Sequence, residues 1–309
     1  MRKLRRKMKV MKPLQSNQRT NLRSHAQPER VSDLYRHIDK IGDEYARALK
    51  RQVVKMRRIL IGAYRTKIAP IIRRYEAEKS KVEKLATNSA DEELEKILER
   101  YSGLIAVEIA AVLYAMEALF EPQAIGDIVS RFTSAVSEAQ RRILLAEMME
   151  EIGYINRDAR DNMDYGVDEI VSEYLGNNLE FLSQTIPAEY AERANRSILD
   201  GMCKGLGVMA IGAGLQLYAE MSERRAEFIA HDQTNDLYLD LCERRQKNMD
   251  CESFEWVQRP HLSKVPRPEH TKRNGNVYRW DTGADDGLDE WRYPGEGYGC
   301  NCIPRPVFN

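Results

Sequence analysis

Through most of the chain, apolar residues recur at three- and four-residue spacing, the repeat of one face of an α-helix. The first such run is Leu34, Ile38, Ile41, Tyr45, Leu49, Met56 and Ile59/Leu60, entered at Ser32-Asp33, both good N-cap residues. Its opposite face carries Arg47, Lys50, Arg51, Lys55, Arg57 and Arg58. Pro70 is expected to end or kink this helix, because proline lacks the backbone donor and clashes with the preceding turn. Helical spacing resumes from Ile71 to Leu85.

A second helix is predicted from Asp91, with acids in its first turn, to about Phe120, stopping before Pro122. Its centre, Leu104–Leu119, is apolar on nearly all sides and is expected to be the most buried segment. A third helix covers Ala124 to Ile152, with Ile125, Ile128, Val129, Phe132, Val136, Ile143 and Leu144 on one face, and Gly153 ends it. The polar stretch Asn156–Tyr165 reads as a hinge, and its Asp158/Asp161/Asp164 spacing is not that of a calcium loop. Helical spacing returns at Val167–Leu182, then in a short amphipathic helix over 188–200 beginning near Pro187. Gly201, Gly205, Gly207, Gly212 and Gly214 predict a turn followed by close helix packing; no Gly-Lys-Ser/Thr follows that would make a phosphate loop. Tyr218–Asp250 is the last helix, with Met221, Phe228, Ile229, Leu237, Leu239 and Leu241 as its apolar set.

Strand patterning appears only after Cys251. Phe254, Trp256 and Val257 predict one strand, Val277–Trp280 another after an Asn274-Gly275 turn, and Val307-Phe308 a third. The expected fold is mostly α, an elongated multi-helix body with a small C-terminal α+β module. The segments are a basic disordered arm (1–30), an N-terminal helical region (31–153), a helical core (154–250) and the aromatic module (251–309).

Composition alters this picture mainly through charge. The formal net charge is zero, yet residues 1–84 carry 25 Lys/Arg against 8 Asp/Glu, and 85–309 carry 23 against 40. The two ends are therefore expected to meet different partners. Within the arm, Arg2, Lys3, Arg5, Arg6, Lys7 and Lys9 form a basic cluster with Lys12 close behind, and Arg51, Lys55 and Arg58 extend the charge onto the first helix. Contact with a nucleic-acid backbone and a merely solvated surface both follow from such a pattern. No stretch approaches the roughly 18 apolar residues of a membrane span. Five cysteines with no tight framework predict a reduced, intracellular protein.

Three constellations could carry chemistry. Cys300-Asn-Cys302, with His270 and also His261, can supply N/S ligands to zinc, although the spacing is shorter than the usual Cys-x-x-Cys. The expectation is no cofactor, with zinc as the one candidate; the bland alternative is two small buried thiols. In Arg267-Pro-Glu-His270, Glu269 and His270 would point to opposite faces of a strand, which argues against an acid/base pair. His270 is then expected to hydrogen-bond across the module and Arg267 to pair with an acid. His231 and Asn235 share one helical face and are expected to bond the last helix to the module. No oriented nucleophile is visible, so no enzyme activity is expected.

In order, Ile229-Ala-His-Asp-Gln-Thr-Asn235, Phe254-Glu-Trp-Val257, Val265-Pro-Arg-Pro-Glu-His270, Gly275-Asn-Val-Tyr278 and Pro294-Gly-Glu-Gly-Tyr-Gly-Cys-Asn-Cys302 form a set of motifs over about residues 165–309. This set resembles the phage head morphogenesis proteins similar to the Mu F minor head protein. His231 and Asn301 stand where that family usually has Arg, and Lys264-Val-Pro replaces its usual Asp. The resemblance marks His231, Asn235, Trp256, Arg267, His270, Gly275, Trp280, Pro294 and Gly295 as structural residues of the module. It implies a non-enzymatic minor head protein near the portal, inside the procapsid and, during assembly, in the host cytoplasm. Its partners would be the portal and other head proteins, with viral DNA, and no membrane. The rival readings are a metal-dependent enzyme, such as a nuclease built on His270/Cys300/Cys302, and a simple DNA-binding protein acting through residues 1–84.

Overall fold

The computed structural model describes residues 31–85, 90–119, 122–155, 157–259 and 267–308. The basic arm and His261 lie outside the described residues. The architecture is mostly α with a small C-terminal three-stranded antiparallel sheet.

The body is built on two long helices. α1 (Val31–Ala63) continues through a π-helical turn (Tyr64–Ile68) into α2 (Ala69–Leu85). α8 (Val208–Asn248) lies along α1, and the predicted face of Leu34, Ile38, Ile41, Tyr45, Leu49, Met56 and Leu60 is buried. α3 (Ala90–Glu117) packs on α2 and on α7 (Ile186–Cys203). α4 (Pro122–Glu151) packs on α1, α8 and α6 (Val167–Glu180), and the short α5 (Arg157–Asn162) occupies the predicted hinge. One apolar core runs from Leu34 to Ile303, joining the helices and the module.

Neither proline breaks its helix. Pro70 and Pro187 each follow a π-helical turn, Tyr64–Ile68 and Phe181–Thr185, closed by Ala69 N–H to Tyr64 O and Ile186 N–H to Phe181 O. An i→i−5 turn widens the ladder where the proline ring would otherwise meet the carbonyl four residues back, so the helix passes through. The first π turn also aims Tyr64 at the start of α8, where its hydroxyl donates to Val208 O. Gly212 makes that approach possible, since a Cβ there would lie 2.8 Å from Tyr64 Cε1. Gly201 does the same for Ile211, at 2.6 Å. The glycine cluster is thus a turn with tight helix packing, as its spacing predicts.

Two burial expectations fail. The centre of α3 is not the most buried segment: Ile105, Ile109, Val112 and Met116 are buried, but Val107 is 66% and Tyr114 76% exposed. Neighbours cover α3 on one face only, which overrides its all-round apolarity. On α8, Met221 is 60% and Phe228 48% exposed, because α1 and α4 take the face of Leu237, Leu241 and Cys242 instead.

Candidate metal centre

The module is organised by β1 (Ser253–Val257), which pairs antiparallel with β2 (Val277–Arg279) and β3 (Ile303–Val307) in the order β2-β1-β3. The alternation of β1 buries Phe254 and Trp256 and leaves Ser253, Glu255 and Val257 only partly covered. Gly275, at φ +83°, turns the chain so that its N–H reaches Trp256 O at 2.8 Å. Trp280 packs on Phe254 at 4.5 Å between ring centres and stacks on Tyr293.

α8 provides the platform. Gln246 is buried and serves both sides: its Oε1 accepts from Trp280 Nε1 at 3.0 Å, and its Nε2 donates to Pro304 O at 3.2 Å. Asn235 Nδ2 donates to Cys300 O at 2.8 Å. Asp232 Oδ1, rather than His231, takes the next bond, from Gly299 N–H at 2.7 Å. His231 turns the other way, its Nε2 3.4 Å from Asp43 and its ring against Gly42, both on α1. Pro294 and the left-handed Gly295 are buried beside this contact, the latter against Cys302 O, Leu239 and Asn235 O.

His270 does not lie on a strand. It sits on α9 (Pro268–Arg273), started by Pro268, with His270 buried and Glu269 half-buried. The Arg-x-x-His segment is therefore helical, and the strand argument about Glu269 and His270 does not apply. Among the described residues Arg267 pairs with no acid either: its Nη2 donates to Tyr298 O at 2.7 Å. The carboxylates are claimed by Arg273, three residues after His270, through bonds to Asp286 (2.6 and 2.8 Å) and Asp289 (2.7 Å).

Three ligand-type side chains meet. His270 Nδ1 lies 3.3 Å from Cys300 Sγ and 3.6 Å from Cys302 Sγ, all three residues are buried, and their ligand atoms lie within 4.8 Å of one another. On the far side of the ring, His270 Nε2 is 3.4 Å from Asp289 Oδ2, within ion-pair reach but without hydrogen-bond geometry. The Trp256 ring stands edge-on to His270 at 5.1 Å, and the Arg273 guanidinium lies over Trp256 at 5.0 Å.

The electrostatics of this cluster are uneven. The hydrogen bond from Cys302, followed by that from His270, holds the Cys300 thiol well below the usual cysteine range. The same contact, together with burial, pushes Cys302 up. Hydrogen bonds from Arg273 hold Asp286 down at about 2.

This arrangement can hold a metal ion. A tetrahedral N/S site has ligand–ligand edges of about 3.6 Å, given Zn–S near 2.3 and Zn–N near 2.0 Å. The two Nδ1–Sγ distances of 3.3 and 3.6 Å fit such edges. A carboxylate beside the other ring nitrogen is the usual outer partner of a metal-bound histidine. The described residues supply three ligands.

The sequence pointed to His270, Cys300 and Cys302, and the fold brings them together. It did not single out Arg273, Asp286, Asp289 or Arg259. Arg259 is buried and bonds Asp39 on α1 at 2.8 Å, Asn301 O at 2.8 Å and Asn235 at 3.3 Å. Of the predicted contact residues, Arg51, Lys55 and Arg58 are exposed, while Arg2 to Lys12 lie outside the described residues.

No protein-family model matches the chain, and no solved structure matches it. The chain is similar to a Haemophilus influenzae protein described as uncharacterized, 22% identical over 143 residues. That match covers 46% of this chain and 30% of the relative, so the chain spans less than a third of the length of that curated protein.

Proposed function

We propose that the chain is a non-enzymatic structural protein of phage head assembly, of the kind the Mu F resemblance implies, with a zinc ion closing its C-terminal module. One observation supports this most: the aromatic and ligand-type residues of the resemblance are turned inward. Trp256, His270, Trp280, Pro294, Gly295, Cys300 and Cys302 are buried in the module or against α8, with Asn235 bonded to the Cys300 carbonyl. A motif set used this way holds a shape. Zinc fits the soft, buried donor set, and a bound zinc would staple a sheet too small to stabilise itself. The partners would be the portal and other head proteins, in the procapsid interior. Exposed Arg51, Lys55 and Arg58 are available to viral DNA or an acidic protein surface.

Reconstruction of procapsids assembled with and without the full chain tests the assembly role. Density inside the particle near the portal is the expected result; absence from particles overturns the reading. Elemental analysis of the purified full chain tests the metal. The wild type should carry zinc and His270→Ala should lose it, and cobalt substituted for zinc should give the thiolate charge-transfer band. A metal-free wild type that remains cooperatively folded removes zinc and leaves the assembly role standing.

The rival metalloenzyme reading draws on the ligand count, since three protein ligands are also the number in catalytic zinc sites. The burial of all three ligands favours the structural role. DNA cleaved in the presence of zinc or magnesium by the wild type, but not by His270→Ala, would reverse that preference.

A further inference from the structure

A groove of about 600 Å³ opens between α7 and α8, on a different part of the molecule from the metal centre. Its floor is apolar and aromatic: Phe181, Tyr190, Ile211 and Tyr218 line it, with the exposed Leu206 and Met221 at its lip. Its rim carries Arg193, Arg196, Lys204 and Arg225; Arg193 and Arg225 share Glu189, Arg196 pairs with Glu192, and the rim is left with a small positive surplus. Tyr190 is 3% exposed, and its hydroxyl has no hydrogen-bond partner among the described residues. That hydroxyl is sealed beneath the groove, which offers an occupant its apolar floor and charged rim.

The matching surface is on the same chain. α3 leaves Leu104, Val107 and Tyr114 exposed at three- and seven-residue spacing, which places them in one stripe along the helix. Ala111 and Ala118 fall in the same stripe and are also exposed. Glu99 and Glu117 are exposed and flank it, and α3 as a whole has seven carboxylates against two basic residues. One surface is therefore apolar with an acidic border, and the other is apolar with a basic border. Among the described residues, α3 packs against α2 and α7 through its opposite face and its stripe is uncovered.

We propose that the chain self-associates, the outer stripe of α3 from one copy seating in the α7/α8 groove of a second. The helix lays its apolar side chains into the groove as a recognition helix does. The flanking carboxylates meet the arginines of the rim. Because the two surfaces differ, the contact can be repeated from copy to copy, and it forms a ring if the rotation closes.

Sedimentation of the full chain over a wide concentration range tests this. The wild type should associate. Val107→Asp on the stripe and Met221→Asp at the groove lip should each weaken association at least tenfold, with far-ultraviolet circular dichroism unchanged because both sites are exposed. Arg193→Glu should weaken it too, and pairing it with Glu99→Lys and Glu117→Lys should restore part of the loss. Cys203, exposed at the end of α7 beside the groove-lining Lys204, gives a geometric check. Under mild oxidation, Val107→Cys should cross-link to Cys203 of another copy. A monomeric wild type overturns the proposal, including one whose groove instead takes up added dodecanoate. Association that both aspartate variants leave intact overturns it as well, as does a Val107→Cys chain whose introduced thiol cross-links only to the same thiol of a second copy.

Discussion

The helical body and the C-terminal module are held together in different ways. The α1/α8 body buries Met56, Leu60, Ile72, Ile105 and Ile143 along helix faces, with a few polar groups set among them. The module buries two tryptophans and a phenylalanine, and with them two arginines, a histidine and three cysteines. Non-directional apolar contacts tolerate shifts and swaps of similar volume, whereas a buried charge needs each of its partners in place. The body should therefore degrade gradually under mutation and the module should fail at single residues.

Arg273 gives the sharpest test. It is fully buried, bonds Asp286 and Asp289 and lies over Trp256. Arg273→Ala should cost about 3–5 kcal/mol, because the carboxylates are left without their cation in a partly desolvated site. Urea unfolding of the full chain, followed by tryptophan fluorescence, measures it, since all three tryptophans lie in the module. A loss below about 1 kcal/mol would show that the module does not depend on this cation.

The contrast also explains what was legible beforehand. Leu34 to Leu60 could be placed because helical packing writes itself as a repeat every three or four residues. The convergence of His270 with Cys300 and Cys302 could be suspected from residue type alone. Arg273 could not: its partners Asp286 and Asp289 lie 13 and 16 residues away in an irregular loop, which carries no period. Its only signal was an Arg close to a His in a segment with many acids. Pro70 does not end its helix, for a related reason, since the π turn before it is not encoded in any residue preference, whereas Pro187 stands in the first turn of α7 as expected. The exposed half of α3 misled because burial depends on what packs against a helix as well as on the helix itself.

The body's tolerance is tested at Leu60, which is fully buried in α1. Leu60→Ala should cost about 3 kcal/mol through the cavity it leaves, while Leu60→Met should cost less than about 1.5 kcal/mol. Equal losses would show that the body is as exacting as the module. Circular dichroism at the helical band follows the transition.

One buried acid in the body behaves like a residue of the module. Glu147 of α4 accepts from Tyr35 of α1 at 2.5 Å and lies 3.9 Å from Arg305 of β3. Burial raises its carboxyl to about 8, against the opposing pull of the Tyr35 bond and Arg305. The folded chain then keeps a proton that the unfolded chain releases near 4.5. The contribution is fully present below that lower value and is lost as pH rises towards about 8. The slope is at most roughly 1.4 kcal/mol per pH unit. Denaturation midpoints across this window should fall with pH for the wild type and stay flatter for Glu147→Gln; parallel profiles would assign the pH dependence to other groups.

The smallest effects should come from glycines within the body and should differ in sign. Gly212 lets α8 approach Tyr64, and a Cβ there would stand 2.8 Å from the ring. Tyr64 is buried and its hydroxyl is bonded to Val208 O, so the ring has little freedom to move aside. Gly212→Ala should therefore destabilise by about 1–3 kcal/mol, the usual cost of forcing extra volume into a packed contact. Gly176, in α6, faces open space, and a Cβ there meets nothing within 4 Å. Gly176→Ala should stabilise by up to about 1 kcal/mol, through helix propensity alone. Opposite shifts in the thermal midpoint would show that even in the tolerant half of the molecule one glycine is fixed by packing and another is not. A stabilising Gly212→Ala would mean that the α1–α8 contact gives way more easily than the Tyr64 bond implies.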